Sequence, residues 1–523
     1  MKTRNTIVGV LLLVSANLFS QYTIDWIIPG GNFNKTGVMS TRDNLDNLMI
    51  TGYLQSENIY TRKYDINGNF LWESIDSSGI NGKYEKPIWL SCDISNNVFV
   101  VGKRYSISSG WEYPDAIVAM KYSPSGTLQW KQTVPVSVLI GSQHPGFNMR
   151  SEVDYNGNLY IGTAAANPSG FILVKIDPDG NIVFTQNSEV NAPTGFSSMR
   201  LKDNQVVLTG SSGDLSAAPI AVWDTSGTLL WTVSVLGKAG TDVEVDDDGN
   251  VFLLTSFSNQ VTSTSGYDVM IYKFNPSGAQ LWKKDYDFGG YDFPTRFTFV
   301  SNRLSTIGYG SVSGYFDWIV FQTDASGNKL WDSRYDGTSF NDEYPYYIVA
   351  NPDNEVIVTG IGGPSPDPFN PSYLQMVILE YSNSGTQLWV DTPNLYGGAG
   401  LSCILAGDNS LFAMSYYNMT AYHYDVRAVG VNDDNKNNDQ AINIFPNPCS
   451  TSVTVEFDLA KEEENVSVSI YDLSGNLVKP FRFMNLQAGT NRISLDLSEL
   501  TAGIYLCHVS SSTKNQRAKI VKY

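Results

Sequence analysis

Basic residues are in short supply. Lys and Arg number 34 against 52 Asp and Glu, for a formal charge of −18. A phosphate backbone is gripped by clustered cations that such a chain lacks, so nucleic acid is excluded as a partner. Self-repulsion from the acidic excess suits a soluble exported protein. Long apolar runs are missing too: none reaches the roughly 20 residues a membrane helix needs, so no transmembrane segment is expected. Charged residues of both signs make up only 16%, and helical periodicity is nearly absent. Short strands joined by turns remain.

Residue types that carry chemistry are thin. Of the four cysteines, Cys92 and Cys403 sit in the matching contexts LSCDIS and LSCILA, which predicts equivalent strands of different repeats and buried free thiols. Cys449 and Cys507 lie close to the C-terminus and export would let them pair, but spacing does not fix connectivity. No metal-ligand spacing relates the four, so neither metal nor cofactor is expected. His144 and His423 have no GxSxG elbow or zinc signature around them.

Glycine and aromatic residues are abundant, with 45 Gly and 12% Phe, Trp and Tyr. The chain opens with Lys2 and Arg4 before an apolar run from Ile7 to Val14, then Ser15, Ala16, Asn17 and Ser20. That is the pattern of a secretory signal peptide over residues 1–20, with cleavage expected near Ser20 and Gln21. At 523 residues the remainder exceeds one ordinary core, so several domains or a repeat are required.

A repeat is present. Hairpins ending in an aromatic residue recur as YDINGNFLW to Trp72, YSPSGTLQW to Trp130, IDPDGNIVF to Phe184, WDTSGTLLW to Trp231, FNPSGAQLW to Trp282, TDASGNKLW to Trp331 and YSNSGTQLW to Trp389. Successive aromatics are 47 to 58 residues apart, enough for a four-stranded propeller blade and its loops. A β-branched or aromatic strand precedes each hairpin, as in NLMITG to Gly52 and EVIVTG to Gly360. An eighth such strand, Ser410 to Ser415, and its partner, Thr420 to Asp425, are followed by no tryptophan strand, while Tyr22 to Ile28, with Trp26, is a tryptophan strand with nothing before it. The two fragments add up to one blade. The expected architecture is an all-β, eight-bladed propeller over residues 21–428, closed by the N-terminal strand so that no sheet edge is left exposed. Seven blades is the rival count.

Two connections per blade are short Asp/Asn/Gly or PSG turns, so the longer ones must emerge on the opposite face. That face gathers WEYP at Trp111 to Pro114, SQHPGF at Ser142 to Phe147, DYDFGGYDF at Asp285 to Phe293, YDGTSFNDEYPYY at Tyr335 to Tyr347 and PSPDPFNPSY at Pro364 to Tyr373. Loops on a rigid scaffold commonly carry function, and aromatic rings offer flat faces to sugars or anchors to a protein. The candidate ligand-binding residues are Trp111, Tyr113, Tyr291, Phe293, Tyr335 and Tyr346. Packing of long loops is the competing role for these rings. Paired acids for glycoside chemistry could come from Asp285, Asp287, Asp292, Asp336, Asp342 and Glu343. The Asp clusters at Asp177 to Asp179 and Asp246 to Asp248 lack the full EF-hand pattern and read as turn formers.

The repeat resembles bacterial repeats of the form D, two residues, GN, VYVTG, then KYD, two residues, G and W. It is also similar to the tryptophan-docking propellers of quinoprotein dehydrogenases and outer-membrane assembly lipoproteins, which have eight blades. The likeness spans residues 22 to 426 and implies architecture, not activity. A quinoprotein dehydrogenase would show adjacent cysteines and an assembly lipoprotein a lipobox cysteine near Gln21; neither is present.

The segment Val431 to Gln440 is polar and aperiodic, and residues 429–440 read as a linker. Alternating strands follow, consistent with a small Ig-like β-sandwich over 441–523. The motifs there are Pro446-Asn447-Pro448, Tyr471 with Gly475, LTAGIY with Gly503 and Tyr505, and the terminal Lys519 to Lys522. In combination they resemble the type A sorting domains of the type IX secretion system. That resemblance implies the secretion machinery as partner and delivery to the outer surface or the medium. The function expected is a non-catalytic exported propeller that binds a glycan or a surface protein; the alternative is a polysaccharide-active hydrolase or lyase using acids of the long-loop face.

Overall fold

The computed structural model describes residues 20–28, 35–54, 58–108, 111–135, 149–166, 169–188, 193–212, 216–237, 239–258, 266–311, 314–337, 342–362, 375–393, 400–415, 419–428, 442–459, 461–471, 477–501, 503–511 and 515–522. Among them there are strands and turns and no helix. The chain divides into two compact units, Met1–Gly430 and Val431–Tyr523.

The first unit begins with β1 (Ser20–Ile28) and continues through sheets of four antiparallel strands. The first sheet is β2 (Lys35–Arg42), β3 (Leu48–Leu54), β4 (Ile59–Tyr64) and β5 (Phe70–Asp76). The second is β6 (Lys83–Cys92), β7 (Val98–Ser108), β8 (Trp111–Tyr122) and β9 (Leu128–Pro135). Then come β10 (Met149–Val153), β11 (Leu159–Ala166), β12 (Ser169–Ile176) and β13 (Ile182–Asn187) in the third. The fourth holds β14 (Pro193–Lys202), β15 (Gln205–Ser212), β16 (Ala217–Asp224) and β17 (Leu229–Leu236). The fifth has β18 (Gly240–Val245), β19 (Val251–Ser258), β20 (Tyr267–Phe274) and β21 (Gln280–Tyr286). The sixth has β22 (Tyr291–Val300), β23 (Arg303–Ser311), β24 (Phe316–Asp324) and β25 (Lys329–Tyr335). The seventh is β26 (Tyr344–Ala350), β27 (Val356–Gly362), β28 (Gln375–Tyr381) and β29 (Gln387–Asp391). The eighth takes β30 (Gly400–Leu405), β31 (Leu411–Ser415) and β32 (Ala421–Ala428), and its fourth strand is β1, paired antiparallel to β32 with Trp26 opposite His423.

First strands lie beside one another in sequence: β2 touches β6, β6 touches β10, and so on through β14, β18, β22 and β26 to β30, which touches β2 again. Second and third strands are therefore covered on both faces. Their sequences are accordingly near-continuous apolar runs, as in β16 and β27, whereas fourth strands such as β17 alternate between exposed and half-buried. Each fully buried Val, Leu or Ile contributes about 1.5–3 kcal/mol.

The recurring glycine and tryptophan belong to one joint between sheets. Except in the seventh sheet, whose Trp389 packs on Tyr22 and Tyr424, the fourth-strand aromatic lies against the hairpin turn of the next sheet: Trp72 Nε1 donates to the Pro124 carbonyl at 3.0 Å, and Trp130 Nε1 to that of Pro178 at 3.0 Å. A Cβ on Gly126 would come within 2.6 Å of the Trp72 ring, and φ there is 86°. Glycine is thus required twice over, by the ring and by the left-handed backbone. The Asp that opens a turn is equally specific: Asp177 Oδ1 accepts from the backbone N–H of Asp179 and of Asn181, and Oδ2 from the Asn181 amide. Asp246 is committed in the same way to Asp248 and Asn250, with Lys273 at 2.9 Å.

Trp111 to Pro114, expected in a long loop, belongs to strand instead. β7 and β8 continue as a hairpin that pairs Ser108 with Trp111 and Ser106 with Tyr113, because backbone pairing satisfies peptide groups that a loop would leave to solvent. The segments Ser142 to Phe147, with His144, and Pro364 to Tyr373 lie outside the described residues. Cys403 is buried; Cys92 is only half-buried, and all four cysteines are unpaired.

In the second unit β33 (Asn443–Phe445), β34 (Ser452–Leu459) and β37 (Gly489–Asp496) form one sheet in the order β33-β34-β37. β35 (Glu463–Tyr471), β36 (Leu477–Leu486), β38 (Gly503–Ser510) and β39 (Asn515–Lys522) form another in the order β36-β35-β38-β39. Alternation along β34 sends Val453, Val455, Phe457 and Leu459 inward, where they meet Val466, Val468 and Ile470 of β35 and Cys507 and Val509 of β38.

Candidate functional site

Tyr291 and Phe293 head β22, two residues apart and so on one face of the strand. Their rings stand 6.4 Å apart and nearly parallel, at 7°. Tyr267, at the start of β20, lies 5.1 Å from Phe293 and 6.0 Å from Tyr291. Cross-strand pairing sets Tyr309 opposite Phe293, with ring centroids 5.3 Å apart. Phe316 and Tyr344 then meet Tyr309 edge-on, at 5.2 and 4.9 Å. These rings form one continuous ridge along the fifth, sixth and seventh sheets. Tyr291 is 53% exposed and the others are half-buried. Burial raises the Tyr309 and Tyr344 hydroxyls above their ordinary range, in Tyr344 with help from the Asp342 charge, so both stay protonated donors.

The other expected binding residues are placed differently. Tyr335 closes β25 and packs on Trp318 at 5.4 Å, while Tyr346 is half-buried in β26. Tyr113 is exposed, but on the second sheet, and Trp111 shares its strand, with a side chain outside the description. The structure thus joins Tyr291 and Phe293 to Tyr267, Tyr309, Phe316 and Tyr344, which sequence reasoning missed.

The acids of this edge are mostly engaged with their own loops. Asp342 accepts the Phe316 N–H at 3.0 Å and Glu343 that of Gly337 at 2.9 Å; Asp285 pairs with Lys283 at 3.1 Å, and Asp336 is exposed. Asp287 and Asp292 come together with Asp268, and one oxygen of each lies within 4.8 Å of the others.

A second concentration of polar chemistry occupies the first strands. The Arg150 guanidinium of β10 donates to Ser198 at 2.6 Å and to Asp242 at 3.2 Å, and lies 4.9 Å over the Trp89 ring. Arg200 grips Glu244 through two nitrogens, at 2.9 and 2.6 Å, and Arg296 covers Tyr347 at 4.5 Å. Burial opposes the charge on Asp242, yet Arg150, Arg200 and Arg296 hold its carboxyl below the usual range. No sequence motif announces this cluster, because each strand contributes one or two charged residues from a different repeat.

In the second unit the motif residues meet at the last strand. Asn447, between the cis peptide bonds Phe445–Pro446 and Asn447–Pro448, donates to the Lys519 carbonyl at 2.7 Å and accepts from the Val521 N–H at 2.8 Å. The Cys449 N–H adds a bond to the Val521 carbonyl at 2.8 Å. The Tyr505 hydroxyl donates back to the Thr501 carbonyl at 2.8 Å, two residues before Gly503. Tyr471 lies 6.4 Å from His508. Lys519 is exposed and Lys522 half-buried; Gly475 lies outside the described residues.

Residues 443–523 match the family model of the secretion system C-terminal sorting domain. The chain carries a type IX sorting domain. It is exported by that system to the cell surface or the extracellular space. No curated protein matches the sequence. Among solved structures the Dos1 propeller aligns at 11% identity and TM-score 0.50, covering 77% of this chain and 95% of that one. Others are PorZ of Porphyromonas gingivalis, described as an essential bacterial surface component of the type-IX secretion system, and Drosophila Semaphorin 2a. The first has 11% identity, covers 91% of this chain and 74% of that one, and has a TM-score of 0.28. The second has 8% identity, coverage of 96% and 98%, and a TM-score of 0.38. The Dos1 likeness speaks for the propeller fold alone.

In the propeller, then, the ridge combines the exposed Tyr291 ring with half-buried rings behind it, near carboxylates of the same edge. Such a surface stacks on flat or weakly polar groups and donates and accepts hydrogen bonds at its margin.

Proposed function

We propose that the exported chain is an eight-bladed propeller, residues 21–428, that binds a glycan through the aromatic ridge without transforming it. A signal peptide over 1–20, a linker over 429–440 and an Ig-like sorting sandwich over 441–523 complete the reading. The observation that carries it is the paired Tyr291 and Phe293 plate, continuous with Tyr267 and Tyr309. Parallel ring faces suit the apolar faces of sugar rings, and Tyr335 and Tyr346 are assigned to the same ligand beyond the ridge. Trp111 and Tyr113 would serve a separate contact. Pro446, Asn447, Pro448, Tyr471, Gly475, Gly503, Tyr505, Lys519 and Lys522 are assigned to recognition by the secretion machinery.

A surface protein is the second ligand class, since exposed tyrosines also anchor protein interfaces. The hydrolase or lyase alternative needs two acids that reach substrate. Asp292, whose burial raises its carboxyl to about 6, is shifted in the direction a general acid needs, but it has no exposed surface. A glycosidic oxygen cannot reach its proton. The test is to display the purified full-length chain on glycan and cell-surface protein arrays, then incubate it with each glycan that binds. Retention of a glycan class with no change in its chain length is expected. Release of shortened or unsaturated products would replace this reading with the enzymatic one.

A further inference from the structure

We propose that Asp268, Asp287 and Asp292 bind a hard divalent cation, calcium by its chemistry, at the loop joining the fifth and sixth sheets. The inference does not depend on the ridge binding a glycan. One carboxylate oxygen from each residue lies within 4.8 Å of the others. Oxygens sharing a calcium ion at about 2.4 Å can be no further apart than about that distance. The ligand set is all carboxylate, without His or Cys, which selects calcium or a similar ion over zinc.

The independent observation is Asp292 itself. It has no exposed surface; its Oδ2 accepts the Phe288 N–H at 2.8 Å, and its Oδ1 is buried with no hydrogen-bond partner. Asp268 Oδ1 is likewise buried and unpartnered. Buried carboxylate oxygens are costly to leave bare, and the buried Asp43 and Asp242 are not left so. Asp43 has Lys63 at 2.7 Å and the Asn47 amide, and Asp242 has Arg150 and the Phe297 N–H. At Asp292 the nearby cation, Arg334, is already bound to Asp317 and to the Gly310 carbonyl at 3.0 Å each, and to the Phe288 carbonyl at 3.2 Å. Only a glycine at 310 lets the carboxylate sit where it does, since a Cβ there would lie 2.4 Å from Asp292 Oδ1. A divalent ion would relieve the mutual repulsion of the three neighbouring carboxylates, with water completing the 6–8 oxygen ligands calcium takes.

Tyr267 and Tyr291 adjoin Asp268 and Asp292 in the chain, so a lanthanide in the site should be excited through them. The experiment titrates terbium into chelator-treated full-length protein, follows tyrosine-sensitised emission, and competes it with calcium. Saturable emission displaced by calcium is expected, with calcium affinity at or tighter than the millimolar range of extracellular sites. Asp292→Asn and Asp287→Asn should each weaken it at least tenfold, and calcium should raise the melting temperature of the unsubstituted chain only. Asp287 is exposed, so Asp287→Asn decides the matter if Asp292→Asn fails to fold. Absence of calcium-displaceable emission, or an affinity left unchanged by Asp287→Asn, would overturn the site.

Discussion

Glu380 occupies the position that pairs with the docking aromatic of its sheet, opposite Trp389. Lys63, Lys121, Lys175 and Lys273 fill it opposite Trp72, Trp130, Phe184 and Trp282. There lysine reaches a turn: Lys121 bonds the Pro178 carbonyl at 3.0 Å, and Lys175 that of Thr225 at 2.9 Å. Glu380 is 1% exposed and its Oε2 has no partner. Burial, then the Glu355 charge, pushes its carboxyl from 4.5 up to about 8. Between those values the folded chain holds a proton that the unfolded chain has lost, so stability falls as pH rises through this window. Glu380→Gln keeps the shape and removes the titration. It should stabilise the propeller by on the order of 1 kcal/mol or more near pH 8 and by little near pH 4. Urea unfolding at the two pH values checks this; an equal effect at both would show that Glu380 is not held neutral.

At the scale of elements the sensitive piece is β1. Its Trp26 donates to the Ile66 carbonyl at 2.9 Å and stacks on His423 at 5.1 Å, and a Cβ on Gly68 of the first sheet would touch its ring at 2.8 Å. One strand therefore completes the eighth sheet and clasps the first. Trp26→Ala should cost about 2–4 kcal/mol. Removal of Tyr22 to Ile28 should lower the thermal midpoint further and expose a sheet edge that promotes association. Unchanged midpoints would make β1 an idle arm. This joint was legible in the sequence because it is local chemistry repeated: the glycine turn, the aromatic and their spacing recur in sheet after sheet. The ridge was legible only in part. Tyr291 and Phe293 adjoin a Gly-Gly turn and draw notice, but Tyr309, Phe316 and Tyr344 reach them through register and the angle between sheets. Arg150 and Asp242, 92 residues apart, meet for the same reason. Trp111 to Pro114 misled because aromatic and proline residues suggested a loop where a hairpin simply runs long.

For the whole molecule, export and fold divide between two units that argue independently. The sorting domain fixes destination, with its last strand held by Asn447, and the propeller is a separate unit of packed sheets. Its charged first-strand cluster is paired internally, Arg150 with Asp242 and Arg200 with Glu244, and the binding proposed for the propeller is assigned to the ridge. Rings that only prop loops and rings that grip a ligand differ in what their loss does. The decisive measurement therefore compares affinity for the array-selected ligand with melting temperature in full-length Tyr291→Ala, Phe293→Ala and the double variant. The account predicts at least a tenfold loss of affinity in the double variant with a melting temperature within a few degrees of the parent. Undiminished binding, or a fall in stability that accounts for the loss, would contradict it.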